Sequence, residues 1–318
     1  MTEAPSQDEL QAAHALEPED RVPGRPQMTA FRQTLRLHQS RWREAKGHPI
    51  GSQPIVPRAG KPSRPFGSRV PLDYARETGA NFVTAAALGA ARTRTSFTEA
   101  HQSFDHQRLW AELLWSDTLA FNLFGDLAAD LELADRALHT WWPDAPGTVS
   151  EIRFAHSPGR FDPAYLGSLR AFDAAFVLDL DDGTHGIVTV DVKYHEAAKS
   201  AIRKPIGLPR QREVAEKSGV LDSKTVEAVD RTDLLVMSLE HLLLLSMLQH
   251  PSDAWSWGRY VVVHPAGNTD FADACSRYRA LLAEGSTFSS VTLEELLSSD
   301  VLPARTTAAL RERYVPVR

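Results

Sequence analysis

Cysteine is nearly absent. The 318-residue chain carries one, Cys275. A lone thiol excludes a disulfide framework and a cysteine-based zinc site, and it fits a reducing compartment. The opening residues Met1-Thr2-Glu3-Ala4-Pro5 hold no basic n-region and no apolar h-region, so no secretory leader is visible. Long hydrophobic runs are missing too. The most apolar stretch, Leu234 to Leu248, is broken by Ser238, Glu240 and His241 and is too short and polar to span a bilayer. A cytoplasmic protein with no membrane partner is the expectation. The sequence also lacks a Walker loop, a paired-glycine dinucleotide fingerprint, HExxH, CxxC and GxSxG. Its twelve histidines are scattered without ligand spacing, and His106, His195 and His241 read as structural or surface residues.

A net positive charge is absent as well. At −6 the chain does not advertise a nucleic-acid binder, but the charge is unevenly spread. The first twenty residues carry six acids and no Lys or Arg, whereas Arg21 to Val70 holds eleven Lys/Arg against one acid, Glu44. A whole-chain average hides such a segment. The composition, 42% apolar and 24% charged, is that of a globular protein able to bury a sizeable core.

Residues 1–27, acidic and poor in large apolar groups, are expected to be a disordered tail. Residues 28–100 read as a basic accessory region. It opens with an amphipathic helix over Phe31 to Lys46 and continues through a loop with six prolines between 47 and 71. Residues 101–318 read as the main domain. Phe104 to Leu119 is expected to be one helix in which Glu112 stands among Leu109, Trp110, Ala111, Leu113, Leu114 and Trp115. A carboxylate there lies at the rim of a buried side or is buried for a purpose. Helix is expected to continue to Leu133 with a break at Gly125. Val291 to Leu297 is a further helix.

Two alternating segments, Arg170 to Leu180 and Gly186 to Tyr194, read as strands joined by the turn signal Asp181-Asp182-Gly183-Thr184. Both apolar faces fall on even numbers, so the connection must be odd, of three or five residues. With three, Asp173 stands opposite Lys193 and diagonal to Asp191, and three charged groups share one patch. On the second strand alone, a surface ion pair accounts for Asp191 and Lys193 equally well. Converging carboxylates suit a hard cation such as Mg²⁺, and a neighbouring lysine suits charge developing at a phosphodiester.

The arrangement Glu112 … Asp173 … Asp191-Val192-Lys193 resembles the PD-(D/E)XK nuclease superfamily. RLWAELLWSDTLAFNLFGDL (108–127), SPGR (157–160), RAFDAAF (170–176), VTVDVKYHE (188–196) and HQSRWREAKGHPIG (38–51) together resemble one bacterial family of restriction-endonuclease-like proteins. The resemblance implies an α/β fold with a mixed central sheet and an antiparallel hairpin flanked by helices. It implies a metal-dependent nuclease acting on double-stranded DNA, with Mg²⁺ or Mn²⁺ as cofactor and a homodimer as one assembly. Carried over by residue, it makes Glu112, Asp173, Asp191 and Lys193 catalytic, with Asp173, Asp191, Glu112 and the Val192 carbonyl on the metal. Arg41, Arg43, Lys46, Arg160 and Arg170 are then expected to hold the nucleic acid. The family usually has Glu where this chain has Asp191, and Ser-Gln-Pro where it has Ser116-Asp117-Thr118. A nucleic-acid-binding protein that keeps the fold without the activity is the alternative.

Overall fold

The computed structural model describes residues 4–56, 62–102, 104–198, 208–283 and 287–316. The strands are β1 (Gly51–Gln53), β2 (Arg64–Phe66), β3 (Thr148–His156), β4 (Phe172–Asp179), β5 (His185–Val192), β6 (Trp255–His264) and β7 (Phe288–Thr292). The helices that matter below are α1 (Gln7–Ala12), α2 (Pro26–Ala45), α3 (Leu72–Thr78), α4 (Ala85–Thr95), α5 (His106–Ala111), α6 (Ser116–Ala129), α7 (Leu131–Trp141), α8 (Leu208–Ser218), α9 (Ser223–Val229), α10 (Leu235–Leu248), α11 (Thr269–Arg279), α12 (Leu293–Ser298) and α13 (Ala304–Tyr314). The fold is mixed α/β, as expected. β1 and β2 form a small antiparallel pair, and the other five strands form one sheet in the order β3-β4-β5-β6-β7. β3, β4 and β5 run antiparallel to one another, and β6 and β7 continue parallel to β5. Among the described residues no helix is long and apolar enough to cross a membrane.

The central strands are apolar on both faces because helices cover both. Ala174, Phe176, Val188, Val190, Val261 and Val263 pack against α6 and α7. Ala175, Ile187, Tyr260 and Val262 pack on the other side with the leucines of α10 and with α11. The parallel step from β5 to β6 needs a crossover, and α10 supplies it, lying buried along most of its length.

Parity of the hairpin holds, but its register is two residues from the one drawn on a three-residue turn. Asp179 pairs with His185 and Ala174 with Val190, so five residues, 180–184, make the connection. The turn explains the choice. Leu180 accepts from Gly183 and donates to Thr184 O, Gly183 takes φ +80°, and Asp182 Oδ1 accepts from both the Thr184 backbone and its hydroxyl. Left-handed φ is available to glycine at little cost. Extending the register by one pair sets Asp173 beside Asp191.

Three further expectations are corrected. The described part of the acidic segment, residues 4–27, is not a disordered tail: it forms α1 and a 3₁₀ turn at Pro18–Asp20, held by Asp20–Arg36, Glu17–Arg64 and Glu9–Arg41 ion pairs and by Leu10 and Ala15 packed with Leu37. β7 occupies Phe288–Thr292, where Val291 pairs with Val263, and helix begins only at Leu293, capped by Thr292. α6 runs through Gly125 without a break, because α4 crosses there. A Cβ on Gly125 would lie 2.7 Å from the Ala87 backbone nitrogen. Gly125→Ala is therefore expected to destabilise by about 1–3 kcal/mol in urea unfolding despite alanine's better helix propensity. An unchanged midpoint would contradict this helix contact.

Candidate active site

The end of β5 gathers the charged groups. Asp191 is 2% exposed, and its Oδ1 accepts from Lys193 Nζ at 2.6 Å. Asp173 Oδ2 accepts the Val192 backbone N–H at 2.7 Å, which fixes β4 to β5 at the site. The pairing of β4 with β5 thereby sets the Asp173 and Asp191 carboxyls within each other's field. α10 brings Glu240 to the same side. The Tyr260 hydroxyl lies 3.3 Å from Asp191 Oδ2 and 3.0 Å from Glu240 Oε2, and Arg170 Nη1 lies 3.4 Å from Glu240 Oε1.

The start of α6 closes the group from another direction. Ser116 Oγ accepts the Tyr194 N–H at 3.2 Å and donates to Glu196. That pins the helix to the chain just beyond β5 and sets Asp117 within the field of Lys193, Glu196 and Asp191.

The electrostatics follow from burial. Burial would raise Asp191, but the Lys193 charge and hydrogen bonds from Glu240, Lys193 and Asp173 outweigh it and hold this carboxyl below its usual range. Burial and the Asp191 charge raise Asp173 well above its usual range and push Glu240 up to about 8. Like charges this close cannot all ionise. The cluster therefore favours the charge on Asp191 and holds protons more tightly on Asp173 and Glu240. Burial works against the Lys193 ammonium, but Asp191 and its neighbours hold its proton on, so it stays charged. Burial pushes Asp117 up to about 6, against the pull of Lys193.

Glu112 is engaged elsewhere. The chain leaves α5 at this residue, since Ala111 O and Leu113 N bond to the strand-like segment at Val70 and Ser68. The Glu112 carboxylate, 7% exposed, accepts from Arg69 Nε at 2.5 Å and faces Arg36 Nη1 at 3.9 Å. Among the described residues no hydrogen bond or ion pair joins it to Asp173, Asp191 or Lys193. The acids that do meet the site, Asp117 and Glu240, were passed over in the sequence. Each had a signal: Asp117 stands where the chain departs from Ser-Gln-Pro, and Glu240 interrupts an apolar run as Glu112 does.

The basic residues divide into three groups. Arg43 donates to Gly67 O and His48 O, and Arg160 is buried against Glu99 and Ala155 O, so both serve the fold. Arg41 pairs with Glu9 and Lys46 with Glu312 at the surface, where such pairs contribute little and can be exchanged for phosphate. Arg170 alone touches the carboxylate group, through Glu240. Arg58 and Lys61 lie outside the described residues.

The oxygen donors fit a hard divalent cation. Among the described residues no three His, Cys, Asp or Glu side chains form a ready cage. Mg²⁺ commonly takes one or two carboxylates and keeps several waters, which matches the Asp173–Asp191 pair.

No curated protein and no solved structure matches the chain. Comparison with protein families matches residues 26–316 to the PD-(D/E)XK nuclease superfamily, whose members typically use divalent metal ions. Since the match runs from the first residue of α2 to beyond the last helix, the chain belongs to the PD-(D/E)XK nuclease superfamily.

Proposed function

We propose that the protein is a divalent-metal-dependent nuclease that hydrolyses phosphodiester bonds of double-stranded DNA. The observation that carries this reading is the placement of Asp173 and Asp191 at the adjoining ends of β4 and β5, with Asp173 bonded to the Val192 N–H and Lys193 Nζ 2.6 Å from Asp191. Asp173 and Asp191 would hold Mg²⁺ or Mn²⁺, with the Val192 carbonyl as a further oxygen. Such an ion, when bound, polarises a phosphoryl oxygen and makes water a better nucleophile. Lys193 keeps its proton, so it acts as a fixed positive charge that orients the attacking water and stabilises negative charge developing on the phosphate. Asp117, at about 6, is the carboxyl best matched to accept a proton near neutral pH. Tyr260 and Glu240 hold Asp191 in place from behind. Arg170, Arg41 and Lys46 would meet the phosphate backbone.

The test is cleavage of plasmid and linear DNA, and of RNA, with Mg²⁺, Mn²⁺ or chelator. Asp191→Ala and Lys193→Ala are each expected to slow cleavage by at least about a hundredfold. Cleavage that survives both substitutions would overturn the site. An inert parent that still binds DNA would leave a binding protein on a nuclease fold.

A further inference from the structure

The loop between β3 and β4, residues 157–171, leaves the sheet and rejoins it beside the carboxylates, since His156 pairs with Phe172 and Asp173 comes next. It carries two large apolar side chains that are more than half exposed, Phe161 and Leu169. The Phe161 N–H donates to Ser168 O at 2.9 Å, which brings the two residues together on one side of the loop.

Phe161 is a costly residue at this position. Its φ is +58°, in the left-handed region that residues with a bulky side chain avoid. At its other left-handed position the same loop has Gly167, at φ +64°. Glycine would make the turn at Phe161 as well and would expose no apolar surface. No core contact compensates: the ring meets His101, itself exposed, at 5.2 Å and 77°. The surroundings hold the ring out rather than let it fold away. The buried Arg160 is ion-paired with Glu99, Leu166 lies in the core, and Arg210 of α8 donates to Ala164 O and Tyr165 O, each at 2.8 Å. Strain that a rigid frame maintains on an exposed aromatic, next to a candidate site, is a mark of contact with a ligand.

The size of the patch selects the ligand. Two such side chains fall far short of the roughly 1,000 Å² that a lasting protein interface covers. A single nucleobase needs no more than one ring to stack on. Leu169 stands four residues before Asp173, hence at most about 14 Å from it, or about four steps of a duplex. We infer that Phe161, with Leu169 beside it, is a wedge that stacks on a base of the bound DNA, at a step opened within a short distance of the scissile phosphate. Apolar side chains enter base steps in this way, and every base offers a flat face to a ring. The inference rests on the reading of the carboxylate end as the place where DNA is held. Opening a step is cheapest where pairing is already broken, so DNA of that kind should be preferred.

The test is binding by the full-length chain in chelator, where the proposed cleavage is silent, followed by anisotropy of labelled duplexes. One duplex is fully paired, and the other carries a central mismatch. The parent is expected to bind the mismatched duplex at least about tenfold more tightly. Phe161→Gly removes the ring and suits the left-handed φ, so it is expected to keep the urea midpoint while abolishing that preference. Phe161→Trp supplies another stacking ring and is expected to retain the preference. The inference fails if Phe161→Gly still prefers the mismatch. It also fails if that substitution changes the oligomeric state in sedimentation, which would make the patch a contact between copies of the chain. A parent that binds both duplexes equally overturns this inference alone. A parent that binds neither overturns the DNA reading and this inference with it.

Discussion

Replacing Glu112 by alanine is expected to destabilise the fold by about 3–5 kcal/mol while leaving the carboxylate pair of β4 and β5 in place. The reason is a buried chain of charges. Asp20 pairs with Arg36, Arg36 faces Glu112, and Glu112 accepts from Arg69. Both guanidinium groups also lie over the Phe66 ring, at 4.9 and 4.8 Å. Without Glu112 two buried cations share one carboxylate, and the one that loses its partner cannot recover the water it gave up on folding. The effect should be largest for alanine and smaller for Glu112→Gln, which still accepts hydrogen bonds. Urea unfolding measures the first quantity, and DNA cleavage measures the second. A Glu112→Gln variant with an unchanged midpoint and no cleavage would restore Glu112 to the active site. A lowered midpoint with retained cleavage places it in the scaffold.

Glu112 also shows where sequence reasoning reaches its limit. Its apolar neighbours say that the carboxylate is enclosed, but its partner Arg69 is 43 residues away in the chain, and nothing local selects it. Helical periodicity does not register the break at Glu112 either, because that break is made by backbone bonds to Ser68 and Val70. β4 and β5 were legible because burial on both faces fills them with apolar and β-branched residues, and their even positions carry no polar side chain at all. Their parity was legible for the same reason. The register was not, since three- and five-residue turns both satisfy parity and the Asp182–Thr184 bonds decide between them. The acidic segment misled by composition. Ion pairs to α2 and to Arg64 order it, and pairing partners are not visible in a count of charges. The same pairs take up Arg36, Arg41 and Arg64 of the basic segment that looked free to meet a polyanion.

In chelator, stability is expected to fall between pH 5 and pH 9 by about 4 kcal/mol more in the parent than in Glu240→Gln. Glu240 titrates near 4.5 when unfolded and near 8 in the fold, because it is buried beside the Asp191 charge. Between those values the folded chain keeps a proton that the unfolded chain has released. The stabilisation is therefore full below 4.5 and is lost as pH rises through 8. Asp173, also raised, adds in the same direction. His156 and His241, both held down to about 3 by burial, act oppositely, and only below 6.5. They contribute equally to parent and variant, so the difference between the two isolates Glu240. Urea midpoints at pH 5, 7 and 9 give the comparison, and parallel curves for the two proteins would show that Glu240 is ionised in the fold. Mg²⁺ extends the argument to the proposed site. A cation on Asp173 and Asp191 must displace a proton at low pH but not at high pH. It should raise the parent's midpoint more at pH 9 than at pH 6. Equal stabilisation at both would mean that the ion binds somewhere other than this carboxylate pair.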